Sequence, residues 1–217
     1  MSAAPARPAE PANDEAPARA SRKLKPEVAA YKRGRILEEA SALFHTNGYG
    51  GTTLDQVAER LHVTKPFLYS YFRNKGDILA AICEIGIRES LAAVEDAEGQ
   101  AATAVEQLRL TLTRVAEIII ERHEYIVVYQ REMMYLDRVR AQQILRLRHE
   151  FDSRIAKLVE RAQREGAITL NDAPAMSVWM GGLLSWLPNF YRPTSRRPKE
   201  QMIDQVVHAC MRLVGLN

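Results

Sequence analysis

Apolar residues recur at intervals of three and four along most of this chain, which is the spacing of helices that bury one face. The pattern begins near Val28, and its longer stripes cover residues 105–119, 136–162, 179–190 and 202–213. No segment alternates apolar and polar residues with a period of two, as a half-buried strand would. We therefore predict an all-α fold of about nine helices.

Breaks in this pattern divide the N-terminal part of the chain into short helices. Glycines cluster over residues 48–51 and predict the end of a first helix. Thr53 follows, with Gln56 three residues later, and a Thr and a Gln at this spacing form a capping box at a helix start. The sequence thus predicts a short second helix over residues 54–61.

A tight turn at residues 62–63 separates this helix from a third one, over residues 65–72. Thr64 is placed to cap the third helix, and Pro66 suits its first turn because the missing N–H has no helical partner there. A fourth helix begins at Lys75. Two short helices joined by such a turn predict a helix-turn-helix, whose second helix enters the major groove of DNA.

The positive charge of the chain is concentrated in this predicted motif. Residues 21–76 carry ten Lys or Arg and five acidic residues, a net charge of +5, whereas residues 1–20 and 77–217 each carry a net charge of −1. This distribution is typical of a small nucleic-acid-binding head on a neutral body, and a solvated basic face would also produce it. The overall content, 47% hydrophobic and 26% charged, is that of a soluble globular protein.

The N-terminal segment differs in composition from the rest. Residues 1–20 hold eight Ala and four Pro without apolar periodicity, so we predict that residues 1–24 form a disordered tail. The basic residues near its end suit either contacts with DNA phosphates or simple solubility. The helix-turn-helix domain then covers residues 25–76 and a larger helical body covers residues 77–217.

Sequence motifs for catalysis and metal binding are absent. The chain has no HExxH, GxSxG or phosphate-binding glycine loop, and its five histidines lack metal-ligand spacing. Its two cysteines, Cys83 and Cys210, do not make a disulfide scaffold, and the N-terminus lacks the apolar core of a secretory signal. We therefore expect a cytoplasmic protein that is not an enzyme and that needs no cofactor or metal.

The 45 residues from 35 to 79 carry a distinctive succession of side chains. They include Arg35, Ile36, Leu37, Ala40, Leu43, Phe44, Gly48, Tyr49, Thr52, Thr53, Val57, Ala58, Val63, Thr64, Lys65, Leu68, Tyr69, Tyr71, Phe72, Lys75 and Leu79. This succession resembles the DNA-binding head of the TetR/AcrR transcriptional regulators. The resemblance implies a homodimer whose C-terminal body binds an effector and dimerises through the last two helices. It also implies a repressor that releases a palindromic duplex operator when a small molecule binds.

The resemblance assigns seven residues to the DNA interface. Those in or beside the major groove are Thr64, Lys65, Phe67, Tyr69 and Tyr71, and those at backbone phosphates are Thr53 and Lys75. It places Leu68 and Phe72 in the core of the head. Phe67 suits either contact with a thymine methyl group or packing within the head.

His62 departs from the pattern of the family, which usually has Gly at this position of the turn. A left-handed backbone is expected there, and Gly adopts it without the steric cost that His carries. Two roles remain open for the His62 side chain, that of a turn residue only and that of a base contact.

A second resemblance lies near the C-terminus. Residues 182–193 contain Trp186, Tyr191 and Arg192 and are similar to an aromatic-aromatic-Arg-Pro signature in a subset of these regulators, whose effectors include acyl-CoA thioesters. The similarity ends after residue 193, where Thr and Ser replace the usual Gly. We take these three residues as candidate effector-binding residues. Packing against a partner helix is the alternative for a set at helical spacing, namely Trp179, Leu183, Trp186 and Phe190.

The middle of the body supplies further candidates. Guanidinium groups bind phosphates bidentately, and five arginines fall within eighteen residues. They are Arg131, Arg138, Arg140, Arg146 and Arg148. Nearby acidic residues suit pairing with several of them, so a solvated helix face is the alternative. Of this region we take Arg131 and the adaptable Met134 as candidate effector-binding residues, although Met134 also suits the core.

Two other functions remain open. A pocket with acidic and aromatic walls would indicate a regulator of efflux that responds to hydrophobic drugs, rather than to an acyl- or aryl-CoA thioester. A head with a purely structural role would indicate a helical interaction protein without DNA function. A salt-dependent DNA titration discriminates the regulators from that protein.

Overall fold

The computed structural model describes residues 16–169, 172–191 and 198–216, with side chains from residue 26 onward. Within these ranges the chain forms α-helices and short 3₁₀ turns but no strand, which confirms the predicted all-α fold. The helices are α1 (Ala16–Gly51), α2 (Leu54–Arg60), α3 (Lys65–Tyr69), α4 (Lys75–Glu98), α5 (Ala104–Glu121), α6 (His123–Glu132), α7 (Arg138–Arg164), α8 (Ala173–Ser185) and α9 (Lys199–Leu213). None of them combines the length and apolarity that crossing a membrane would require.

Local signals set the helix ends in the head. α1 is interrupted at Gly48, whose φ of 75° lies in the left-handed region. At the start of α2, the Thr53 hydroxyl accepts a hydrogen bond from Gln56 N at 3.2 Å, and Gln56 Oε1 accepts one from Thr53 N at 2.8 Å. The predicted capping box is therefore present.

α3 is shorter than predicted and ends at Tyr69 rather than near residue 72. Beyond α3 the chain forms a turn, in which Tyr71 N and Phe72 N both donate to Leu68 O at 3.0 Å.

α1 begins earlier than the apolar pattern indicated. It starts at Ala16, so residues 16–24, which we expected to belong to a disordered tail, are helical. Alanine has the highest helix propensity and is frequent in this stretch, which explains a helix without an apolar stripe. Residues 1–15 of the predicted tail lie outside the described residues.

Buried side chains form two clusters. One fills the body between α4, α5, α7, α8 and α9. The other fills the head between α1, α2, α3 and α4 and continues into Tyr125 and Val128 of α6 and Ile144 of α7. The head therefore rests on two helices of the body.

α4 passes through both clusters as one continuous helix of 24 residues. Its residues Ile78 and Ile82 belong to the head cluster, whereas Leu91 and Val94 belong to the body cluster. α4 therefore connects the packing of the body directly to that of the head.

Candidate DNA-binding and effector sites

α2 and α3 form a helix-turn-helix whose turn is closed by a hydrogen bond from Val63 N to Ala58 O of 2.9 Å. Leu68 and Phe72 are 1% and 4% exposed and hold α3 in the head cluster, which places both in the core as expected. Because Leu68 of α3 and Phe72 just beyond it are buried, the opposite side of α3 faces solvent. Tyr69 lies on that side and is 49% exposed.

His62 adopts the left-handed backbone that its position in the turn predicted, with a φ of 54°. The side chain is exposed. A left-handed conformation costs a residue with a Cβ about 1–2 kcal/mol, which is more than the roughly 0.5–1 kcal/mol of extra entropy that glycine loses on folding. We therefore expect His62→Gly to stabilise the protein by about 0.5–1 kcal/mol in denaturant unfolding.

A matched control for this substitution is Glu59→Gly, at an exposed helical position of α2. There the substitution should destabilise the protein by about 1 kcal/mol, because glycine has a low helix propensity and no backbone strain is relieved. The strain argument is wrong if both substitutions lower the free energy of unfolding equally.

Thr64 and Lys65 lie at the start of α3, next to its solvent side. Thr64 occupies the capping position, but its side chain makes no capping hydrogen bond, contrary to our expectation. Pro66 has no N–H to offer, and Phe67 N already donates to the backbone oxygen of Thr64 at 3.0 Å, so the hydroxyl is left for another partner. Lys65 Nζ lies 2.9 Å from Asp55 Oδ2, and this hydrogen bond raises the pKa of the lysine.

Phe67 and Tyr71 pack against each other at the edge of the head cluster. Their ring centroids lie 5.2 Å apart, and both side chains are half-buried. Lys32 Nζ from α1 lies 5.8 Å from the centroid of Phe67. Of the two roles open for Phe67, packing is the one that this arrangement supports.

The two residues expected at phosphates already have intramolecular partners. The exposed Thr53 hydroxyl serves the capping box of α2. Lys75 Nζ donates to Tyr49 O and Thr52 O, each at 2.7 Å, and lies 4.2 Å from the centroid of the Tyr49 ring. Burial lowers the pKa of Lys75. Its ammonium group thus connects the end of α1 to the start of α4.

An ion-pair network joins the head to α7. Asp77, in the first turn of α4, accepts hydrogen bonds from Arg73 Nε at 2.9 Å and from Arg140 of α7. Arg140 also pairs with Asp137, at the start of α7. The hydrogen bonds from Arg73 first, and then from Arg140, lower the pKa of Asp77 to about 2, so this carboxylate stays ionised near neutral pH. Arg140 therefore links the start of α4 to the start of α7.

A cavity lies inside the body between α4, α5, α6, α7 and α8. The apolar residues in its wall are Ile82, Cys83, Ile87, Val115, Ile119, Ile126, Ile144, Phe151 and Leu184. Its volume is about 60 Å³. Burial in this wall raises the pKa of Cys83 to about 12, so the thiol is neutral. The space suits the apolar part of a ligand, provided that the walls move apart.

One end of this cavity is polar. Arg148 of α7 lines it and donates from Nε to the two carboxylate oxygens of Asp152, at 3.2 and 3.4 Å. Burial raises the pKa of Asp152, and the charge of Arg148 opposes this shift. Gly181 of α8 lies against the guanidinium, because a Cβ at this position would come within 2.8 Å of Arg148 Nη2.

α8 also carries an exposed apolar face. Val178 is 55%, Trp179 66% and Trp186 54% exposed, and Phe190 beyond the helix is 63% exposed. Leu183, which we had grouped with them, packs instead against the body cluster. Aromatic residues this exposed are typical of a surface that another protein covers.

Comparison with known families identifies both parts of the chain. Residues 36–82 match the family described as bacterial regulatory proteins, tetR family. Residues 101–214, more than half of the chain, match the family described as tetracyclin repressor-like, C-terminal domain. The chain belongs to the TetR family. Members of this family are DNA-binding transcriptional regulators and not enzymes, which confirms the expected class.

Curated relatives are similar over part of their length. The transcriptional activator FasR of Mycolicibacterium smegmatis is 32% identical over 82 residues, which cover 35% of this chain and 37% of FasR. The fatty acid metabolism regulator protein of Bacillus subtilis is 26% identical over 99 residues, 46% of this chain and 51% of that protein. The chain thus spans about half the length, or less, of these relatives.

Solved TetR structures share the fold over most of the chain. PfmR from Thermus thermophilus is 25% identical with a TM-score of 0.76, over 82% of this chain and 97% of PfmR. AibR, in a complex with isovaleryl coenzyme A and operator DNA, is 24% identical with a TM-score of 0.69, over 82% of this chain and 96% of AibR.

The described residues that we selected for effector binding do not line the cavity of this TetR family member. Arg131, Met134 and Trp186 are exposed, with Met134 at 81%, and the half-buried Tyr191 packs at the edge of the body cluster. Arg192 lies outside the described residues. α8 contributes Gly181, Leu184 and Ser185 to the cavity wall. Trp186 follows α8 directly and is exposed on another side.

Two signals would have found part of the cavity wall. Gly181, Leu184 and Ser185 have the helical spacing of one face, and all three line the cavity. Arg148 lies four residues after the apolar Ile144 and three before Phe151, so helical spacing places it on the buried side of α7. Arg146 lacks this spacing and is exposed.

Proposed function

We propose that this TetR family member is a ligand-responsive repressor that binds a palindromic duplex operator as a homodimer. An acyl- or aryl-CoA thioester, or a similar amphiphilic acid, enters the body and releases the DNA. In this proposal residues 25–76 form the DNA-binding domain and residues 77–217 the effector-binding and dimerisation domain. The protein acts in the cytoplasm, where its operator is.

The continuity of α4 carries this proposal. The helix starts beside the helix-turn-helix, at Lys75 and Asp77, and Ile82, Gly86 and Ser90 of the same helix line the cavity. A ligand that separates the walls of a cavity of about 60 Å³ has to displace at least one of its helices. Displacement of α4 would move the helix-turn-helix with it.

DNA release then follows from geometry. The recognition helices of a dimer have to lie about one DNA turn apart, roughly 34–36 Å, to enter successive major grooves. The ligand shifts the equilibrium only if it binds the released spacing better than the DNA-bound spacing. The pairs of Asp77 with Arg73 and Arg140 provide a second link, since α7 carries both Arg140 and the cavity residue Phe151.

The exposed face of α8 supports the dimer. Two-fold symmetry would bring Trp179 and Trp186 of each protomer to the same interface and so cover apolar area that one chain leaves in water. α8 and α9 are the last two helices and are in mutual contact, which matches the dimer surface that the family resemblance implies.

The effector class has support from relatives and from charge. The Bacillus subtilis relative is a fatty acid metabolism regulator, and AibR binds isovaleryl coenzyme A. Arg148 at the cavity also favours an acidic effector over a lipophilic cation. Its pairing with Asp152 uses only Nε, so N–H donors remain for an acid and none of them can bind a cation. Regulation of efflux by hydrophobic drugs is therefore the weaker of the two proposals.

The proposal is tested by DNA binding in the absence and presence of ligands. Selection from a random duplex library should enrich a palindrome, and affinity for it should fall roughly a thousandfold between about 50 and about 200 mM salt. Short, long and aromatic CoA thioesters and the free acids should then be titrated, with tetraphenylphosphonium as the cationic probe. Loss of operator affinity with an acid or thioester supports the proposal. Loss with the cation alone supports the drug-responsive alternative, and binding to DNA without sequence preference contradicts both.

A further inference from the structure

The wall of the cavity is mostly apolar and contains one cationic side chain. Among the described residues that line it, Arg148 alone carries a charge. Its side chain is 26% exposed, so the guanidinium lies where the apolar space meets solvent. A ligand with an apolar part inside the cavity would place its polar end at this residue.

Most N–H donors of the Arg148 guanidinium are not used by Asp152. Asp152 accepts from Nε, and Nη1 and Nη2 donate no hydrogen bond within the described part of the chain. These two nitrogens carry four of the five N–H groups of the side chain, in the planar fork that matches a carboxylate or phosphate. The pairing with Asp152 orients the fork and leaves its two ends free.

Gly181 makes room for this fork. A Cβ at position 181 would lie 2.8 Å from Arg148 Nη2 and 3.2 Å from Asp152 Oδ1. Any larger residue would therefore push the guanidinium out of place. The next residue, Gly182, has no atom within 4 Å of the corresponding Cβ, so the close approach is specific to position 181.

We propose that Arg148 recognises the oxyanion of the effector through Nη1 and Nη2, while the apolar part of the effector enters the cavity. This inference rests on the proposed function, because it assigns the recognition of its acidic effector to one residue. Arg148 thereby selects acids over neutral molecules of the same length. The oxyanion has two possible sources, the carboxylate of a free acid and a phosphate of coenzyme A.

Calorimetric titration with three probes of equal chain length separates these sources. Octanoic acid offers a carboxylate, octanoyl-CoA offers phosphates, and 1-octanol offers no charge. We expect the protein to bind one or both of the charged probes at least tenfold more tightly than octanol. Binding of the acid identifies a carboxylate site, and binding of the thioester alone identifies a phosphate site.

Substitutions then assign the selectivity to the residue. Arg148→Gln should lower the affinity for the charged probe at least tenfold and leave the affinity for octanol unchanged. Arg148→Lys should lower the affinity for the charged probe less, because lysine retains the charge but lacks the planar pair of N–H donors. The control Arg146→Gln removes the same charge from an exposed position of the same helix and should change nothing. Gly181→Ala should weaken the charged probe and Gly182→Ala should not, which tests the site without removing the partner of Asp152.

Three outcomes overturn the inference. They are equal affinity of the native protein for octanol and the charged probes, unchanged affinity after Arg148→Gln, and an equal loss for all three probes. Operator binding is measured separately. If the charged probe binds through Arg148 but operator affinity stays constant, the inference stands and the proposed release mechanism fails.

Discussion

Trp179→Glu is expected to convert the proposed dimer into monomers and to abolish operator binding at micromolar protein concentrations. The indole is 66% exposed on α8, next to Val178 and in line with Trp186. In a two-fold interface each substitution occurs twice, and a carboxylate replaces a buried aromatic ring each time. Dissociation should become more favourable by about 4 kcal/mol or more, roughly a thousandfold in the dissociation constant.

Analytical ultracentrifugation measures this change, and fluorescence anisotropy with labelled operator DNA measures its consequence. The matched control is Met134→Glu, which introduces the same charge at a residue that is 81% exposed and belongs to another surface. It should remain dimeric and bind DNA normally. A Trp179→Glu protein that still sediments as the native dimer would show that this face of α8 has another purpose.

Tyr69→Ala and Lys65→Ala are expected to remove most of the affinity for the operator while the fold stays intact. Tyr69 is 49% exposed on the solvent side of α3, so its truncation removes few internal contacts. The pair between Lys65 and Asp55 is exposed to solvent and therefore weak, so Lys65 leaves it readily for DNA. Each lost contact costs about 1–3 kcal/mol, and a dimer loses it in both half-sites.

Anisotropy titrations at several salt concentrations separate the two contributions. Lys65→Ala should reduce the slope of affinity against salt if the ammonium group meets a phosphate, whereas Tyr69→Ala should leave the slope unchanged. The control Arg88→Ala removes a positive charge from an exposed position of α4, outside the helix-turn-helix, and should bind as the native protein does. Native affinity in both head variants would mean that α3 does not enter the groove.

The features that depend on short stretches of chain could be predicted from the amino-acid sequence. Thr53 and Gln56 formed the predicted capping box, Gly48 broke α1, and His62 took the left-handed backbone of the turn. Each of these depends on residues within about one helical turn, where hydrogen-bond geometry and steric restrictions act directly. The periodic stripes likewise predicted the all-α fold, because a period near 3.6 is a property of a single helix.

Which residues face one another across helices depends on how the whole chain packs. The pattern of α7 treated Arg140, Arg146 and Arg148 alike, yet packing places the first at Asp77, the second in solvent and the third at the cavity. Lys75 binds carbonyl groups at the end of α1, 26 and 23 residues earlier in the chain. The rotation of a helix about its axis depends on all the helices that pack against it, and no local pattern contains that information. The chain therefore encoded its DNA-binding motif locally, whereas its cavity arises from five helices that come together only in the folded body.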